Sequence, residues 1–272
     1  MSGGSPAAAA GRGAPVGPPV PPTAELHSRI APLVDAGLYV AGPDGRYELG
    51  PGATPLSPFL FKARAHSYQC FLWFHVLFEV FGVVPSRCHA CYKTAVYPDT
   101  LEQLLELYAF QQGYDHLAKC GAELRDYVPS VYSGYFYHAS REAAEREHGL
   151  VRAAVEEAVS GRPRIVLKRA CTEFALGLDD DLSAAAAASA ELEAAVTALF
   201  VCRDHLRGHV DPTSPAEAAR TRRLWLTWAA RHHDPTLTRC METPGLTGLS
   251  SDYVLVDIPL DEEPFVTLLP VM

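Results

Sequence analysis

Lysine is scarce in this chain. Of 23 basic residues among 272, only Lys62, Lys93, Lys119 and Lys168 are lysine. With 32 acidic residues and a net charge of -9, no basic stripe exists to meet phosphates, which excludes nucleic acid and an anionic membrane surface as expected partners. Long apolar runs are lacking as well. The most apolar stretch, Cys70 to Val84, is too short for a bilayer and carries His75 and Glu79, so no transmembrane segment is expected. No charged segment followed by an apolar core opens the chain, and the seven cysteines are odd in number, so a cytoplasmic protein with reduced thiols is expected. Neither common glycine-rich phosphate loop is present, which argues against ATP, GTP or NAD held by such loops. The Gly-x-Ser-x-Gly elbow, the His-Glu-x-x-His helix and the Cys-x-x-x-Cys-x-x-Cys triad of radical S-adenosylmethionine enzymes are absent too.

What remains is globular: 48% apolar and 20% charged residues, enough for one large domain or two small ones. Residues 1–22, almost all Gly, Ala, Pro and Ser, read as a disordered tail. Residues 23–86 read as an N-terminal region packed on the core. It holds a short helix from about Ala24 to Ala36 interrupted by Pro32, and a hairpin turning at Gly42-Pro43-Asp44-Gly45. A loop from Gly50 to Pro58 follows, then a buried helix over 68–81 in which Phe71, Phe74, Phe78 and Phe81 recur at helical spacing.

Residues 87–178 alternate element types. A strand from Cys91 to Val96 precedes a helix capped by Thr100 and Gln103. Strands follow at 116–122 and at Tyr132 to His138. A helix capped by Ser140 buries Ala144, His148, Val151, Val155 and Ala158, ends before Gly161, and leads to a strand at 164–168. The order β-α-β-β-α-β predicts an α+β, ferredoxin-like core, with a doubly wound α/β sheet as the alternative. Residues 179–272 read as C-terminal helices, one alanine-rich to about His205 and one opened by Ser214-Pro215-Ala216-Glu217, followed by short strands at Tyr253 to Ile258 and Phe265 to Leu269.

The chemistry concentrates around Arg87-Cys88-His89-Ala90-Cys91-Tyr92-Lys93. Cys88, Cys91, Cys120 and Cys171 supply four thiolates, the number that fills a tetrahedral zinc site or anchors an iron–sulfur cluster. Three of the four lysines lie within three residues of these cysteines, and an ammonium group stabilises a thiolate or a thiolate-bound centre. Strand parity sets Lys93 on the face of Cys91, but opposes Lys119 to Cys120 and Lys168 to Cys171 unless bulges or strand ends intervene. His89 offers a Cys₃His alternative, while Asp204-His205 with His209, and His232-His233-Asp234, resemble ligand clusters at helix ends.

Three functions fit these residues. The first is a cytoplasmic enzyme with a cysteine-ligated metal centre, iron–sulfur before zinc, acting on a small anionic substrate. In it Lys93 and Glu173 are catalytic and Lys119, Lys168, Arg169 and Tyr135 bind substrate. The second keeps the thiols without metal, Cys88 and Cys91 doing redox or sulfur-transfer chemistry beside Lys93. The third is a zinc-stabilised interaction module presenting its Trp-bearing C-terminal helices. A homo-oligomer is compatible with all three.

Overall fold

The computed structural model of the chain describes residues 20–50, 58–62, 73–125, 127–201 and 213–242. The expected tail through residue 19, Cys70 and Phe71, the Asp204, His205 and His209 cluster, and the last two expected strands lie outside the described residues.

Helix α1 runs over Thr23–Asp35 and continues through Pro32 rather than breaking there, burying Leu26 and Ile30. A two-stranded hairpin follows, β1 (Tyr39–Ala41) antiparallel to β2 (Tyr47–Leu49). Its turn uses the sequence as expected. Gly45 adopts φ +76°, which a side chain would resist, and Asp44 Oδ1 accepts from the Arg46 backbone N–H at 3.1 Å. Strand β3 (Phe59–Phe61) had no clear period in the sequence. The aromatic helix appears as α2 (Trp73–Val80), wound as a π-helix, and Ser86–His89 forms a single turn, α3.

The core then follows in sequence order. It comprises β4 (Tyr92–Tyr97), α4 (Leu101–Gly113), β5 (Ala118–Ala122), β6 (Tyr132–His138), α5 (Arg141–Ala158) and β7 (Arg164–Arg169). The caps are those expected: Thr100 Oγ1 accepts from Gln103 N–H, and Ser140 Oγ accepts from Ala143 N–H. Along α5 the buried positions are Ala143, Ala144, Val151 and Val155, while Ala158 is exposed.

The fold is α+β. The sheet has five strands in the order β3-β5-β6-β4-β7, and every neighbouring pair is antiparallel. The doubly wound parallel alternative is therefore corrected: residues 82–84 form no strand, and β6 lies between β4 and β5 while β4 lies between β6 and β7. That interleaving splits both βαβ units and makes each contact antiparallel.

Helices cover one sheet face. Tyr132 and Phe136 of β6, Val96 of β4, Ile165 of β7, Leu60 of β3 and Cys120 of β5 pack there with Leu101, Leu104 and Leu107 of α4 and Val151 and Val155 of α5. Gly134 is needed at this face, since a Cβ on it would lie 2.5 Å from Leu107 Cδ2 of α4. The C-terminal region divides between two cores. Helix α6 (Ser183–Ala198) joins the N-terminal hairpin through Leu192 and Val196, with Phe200 just past its end, whereas α7 (Pro215–Arg231) and the short α8 (Leu237–Met241) close on the sheet through Trp225, Leu226 and Cys240. The Ser214–Glu217 capping box with Pro215 at the first helical position is present as the sequence indicated. No helix among the described residues is long and apolar enough to cross a membrane.

Candidate functional site

Alternation along the strands sends a different set of residues to the other sheet face. Three cross-strand rows lie there: Lys168–Lys93–Tyr137, then Val166–Ala95–Tyr135–Lys119–Phe61, then Arg164–Tyr97 with Gly121–Phe59. The lysines at 93, 119 and 168 thus share one face, on three different strands. Strand β4 is buried on both sides, so Lys93 is only 5% exposed despite its charge.

Beyond the end of β7 the chain bends back over this face. Ala170 takes φ 53°, its N–H bonded to Cys91 O at 2.7 Å, and Ala175 takes φ 50°, so two left-handed alanines bracket the turn Cys171-Thr172-Glu173-Phe174. Left-handed backbone is costly for alanine and is held only where the surroundings impose it. The consequence overturns the parity objection. The reversal at Ala170 returns Cys171 to the lysine face, where its Sγ lies 3.8 Å from Lys93 Nζ.

Electrostatics at this face are uneven. Burial opposes the charge of Lys93, but the sulfurs of Cys171 and Cys91, with Tyr137 and Tyr135, outweigh it and hold its pKa well above the lysine range. Lys168, the direct cross-strand partner of Lys93, goes the other way: burial first, then the Lys93 ammonium, bring its pKa down to about 8. Its Nζ donates to Thr172 Oγ1 at 2.6 Å. Lys119 Nζ sits 4.3 Å from the centre of the Phe59 ring and 5.4 Å from that of Tyr135.

Two carboxylates and one guanidinium complete the face. Arg125 donates Nε and Nη2 to the two oxygens of Glu123, both at 2.6 Å, and Nη1 to Glu173 Oε1 at 2.5 Å. Glu123 also accepts from Ser133 Oγ at 3.0 Å and is fully buried. Tyr127 donates to Glu173 Oε1 at 2.9 Å, while Glu173 Oε2 is buried without a hydrogen-bond partner. Burial would raise the pKa of Glu173, yet Arg125 and the Glu173 backbone N–H hold it below the usual carboxylate range. Burial and Glu123 push the Tyr135 hydroxyl up to about 12. Glu123 and Arg125 also line a cleft of about 460 Å³ that extends past Val128 and Ser130 to Trp228 and His232.

The sequence-predicted residues therefore separate. Lys93, Lys119, Lys168, Tyr135, Cys171 and Glu173 meet on one face, with Cys91 at its edge. Cys120 does not belong with them: it points into the helix-covered core, is fully buried, and burial raises its thiol pKa far above the usual cysteine value. Cys88 sits in the second hydrophobic core beside Val83 and Leu192. Among the described residues no three cysteines come close enough to share an ion. Arg169 falls outside this face. It lies opposite Lys168 in strand parity, and its guanidinium donates to the carbonyls of His89 at 2.6 Å and Asp180 at 2.7 Å. Asp234 is architectural: its Oδ2 accepts from Leu101 N–H at 2.6 Å at the start of α4 and from Tyr132 OH at 2.8 Å, while the His232 ring packs tilted against Trp228 with centroids 4.4 Å apart.

Two groups were missed from the sequence. Glu123 and Arg125 are two residues apart and carried a strand-parity signal, since Glu123 continues the Lys119 face. The second group is a different kind of site. His116, His138 and Glu147 gather at the end of the helix-covered face, the one such group of potential metal ligands among the described residues. They come from a loop, a strand and a helix, and no sequence spacing links them. Comparison with known proteins adds no identity: no family model, no curated protein and no solved structure matches the chain.

Proposed function

We propose that the lysine-bearing face is the active site of an enzyme acting on a small organic anion with a carbonyl group, with Lys168 as amine nucleophile. The observation that carries this reading is the direct cross-strand pairing of Lys168 with Lys93. Like charges placed opposite each other destabilise a sheet, so the pair is a local cost to the fold. What it supplies is a lysine whose neutral, nucleophilic amine is well populated near pH 8.

The remaining groups suit such a substrate. Three of the chain's four lysines meet on this face of a protein whose net charge is -9, and Arg125 already occupies Glu123 and Glu173. Lys93 and Lys119 add positive charge to the same face, which would attract a carboxylate or phosphate of the substrate. The amine nitrogen of Lys168 adds to the carbonyl carbon, and the C=O electron pair moves to oxygen, which takes a proton. The nitrogen then gives up one proton, the hydroxyl takes a second, and loss of that oxygen as water leaves the C=N bond of an iminium ion. Glu173 Oε2, buried without a hydrogen-bond partner, would carry protons in these steps.

Trapping tests the reading. Full-length protein incubated with pyruvate and sodium borohydride should gain the mass of one reduced adduct on Lys168, and Lys168→Arg should lose it. Absence of any adduct, or an equal adduct in the variant, refutes it. A second reading rests on the 3.8 Å contact between Lys93 and Cys171: the thiol, rather than the amine, does the chemistry. In that case sub-stoichiometric iodoacetate labels Cys171 before every other cysteine, and Lys93→Met slows the labelling at least about tenfold, as expected for loss of an activating cation.

A further inference from the structure

We propose that His116, His138 and Glu147 form a binding site for one divalent transition-metal ion, on the sheet face opposite the lysines. Glu147 Oε2 lies 3.1 Å from His138 Nδ1 and 3.9 Å from His116 Nε2, and the three ligand atoms are all within 4.8 Å of one another. Ligands about 2.0–2.2 Å from a zinc ion stand roughly 3–3.5 Å apart, so the triangle needs only a small contraction to close on a metal.

His138 Nδ1 and Glu147 Oε2 are within hydrogen-bond distance of each other as they stand, and three further observations fit a metal ion at this place. First, His116 Nε2 is buried and has no hydrogen-bond partner, a cost that a metal bond would remove. Second, Arg146 Nη2 holds Glu147 Oε1 at 2.8 Å, which turns Oε2 towards the histidines. Third, the outer partners already fit the protonation that coordination requires. A metal on His138 Nδ1 obliges the ring proton to sit on Nε2, and Nε2 faces Thr94 Oγ1 at 2.9 Å. Thr94 can then accept that proton and donate its own to His148 Nδ1, 3.0 Å away. Every donor in the chain has an acceptor, as in the outer shells of metal-bound histidines.

The elements bring the ligands together for reasons unconnected with metal. His138 ends β6 on its helix-facing side, His116 precedes β5 beside it, and the two rings meet edge to face with centroids 5.1 Å apart. Glu147 comes from α5, one residue before His148, on the side that packs against the sheet end. Two imidazoles and one carboxylate suit zinc, iron(II) or cobalt(II) and leave at least one coordination position for water or a ligand. Glu147 retains 29% side-chain exposure, so the position is reachable from solvent.

Zinc alone, and cobalt(II) alone, are the probes. Metal-stripped full-length protein titrated calorimetrically with zinc should take up one equivalent, and cobalt should give a visible spectrum without thiolate charge transfer. His116→Ala and Glu147→Gln, both partly exposed sites, should each lose zinc affinity by at least about a hundredfold. Thr94→Val, which removes only the outer partner, should lose roughly 10- to 100-fold. Circular dichroism and thermal melts of the metal-free variants confirm that they fold. The proposal is overturned if the wild type takes up no stoichiometric zinc, if His116→Ala and Glu147→Gln bind as the wild type does, or if cobalt shows thiolate charge transfer.

Discussion

Removing Lys93 tests the electrostatic heart of the lysine face. Lys168 has a pKa of about 8 against 10.5 for an ordinary lysine, with burial as the first cause and Lys93 as the second. At pH 7.5 that shift raises the neutral amine from about one part in a thousand to roughly one quarter, a gain of some two hundredfold. Lys93→Met keeps the length and apolar stem of the side chain and removes the charge. Because a buried charge is replaced by a packed apolar group, the fold should tolerate it. The midpoint of Lys168 titration should then rise but stay below the ordinary value, since burial remains. Trace acetic anhydride labelling across pH, read at Lys168 by peptide mass spectrometry, gives that midpoint directly. Linkage supplies a second reading. A lysine whose folded pKa is lowered binds fewer protons folded than unfolded, so it destabilises the fold below about pH 8, and the cost fades as pH rises towards 10.5. Allowing for the partial exposure of Lys168, Lys168→Met should stabilise the protein by about 1–3 kcal/mol at pH 7, by urea unfolding, with the advantage vanishing towards pH 10.5. A wild-type labelling midpoint above 10, or one that Lys93→Met leaves unmoved, would refute the reasoning.

Arg125→Met should cost about 3–5 kcal/mol in urea unfolding, because it leaves the buried carboxylate of Glu123 and that of Glu173 without their cation. Asp234→Ala removes the acceptor of Leu101 N–H and Tyr132 OH, and should cost about 1–3 kcal/mol, with faster amide exchange confined to the first turn of α4. Ala175→Gly should stabilise by about 0.5–1 kcal/mol in thermal melts, since Ala175 is exposed and its left-handed backbone suits glycine. Cys120 should resist alkylation in the folded protein until denaturant is added, because its thiol is fully buried and its pKa is raised.

Much of the architecture follows from local chemistry that the sequence carries openly. Thr100, Ser140 and Ser214 mark helix starts by supplying the acceptor that the first turn lacks, and Gly45 marks a turn by tolerating positive φ. The alternation of β4, α4, β5, β6, α5 and β7 was legible because strands and helices impose different apolar periods. Strand β3 was not: three residues are too few for a period, and what holds them is pairing with β5, a partner about sixty residues away.

The lysines were conspicuous in the sequence because they are rare, and the cysteines because of their spacing. Which of them meet was decided by the fold. Period-two alternation sent Cys120 to the opposite face from Lys119, as parity required. The same parity would have separated Lys168 from Cys171, but one left-handed alanine past the strand end reversed it, and no local signal marks an alanine that tertiary contacts hold at φ 53°. His116, His138 and Glu147 were silent for a related reason. A metal triangle drawn from three separate segments has no spacing of its own, and only the antiparallel register of β5 and β6, with α5 packed on β4 and β6, gives it one. The sequence by itself determined the order of the core elements and singled out the lysines and cysteines as residues able to do chemistry. The tertiary structure alone decided the company each keeps, because face, register and one backbone reversal are set by contacts between segments far apart in the chain.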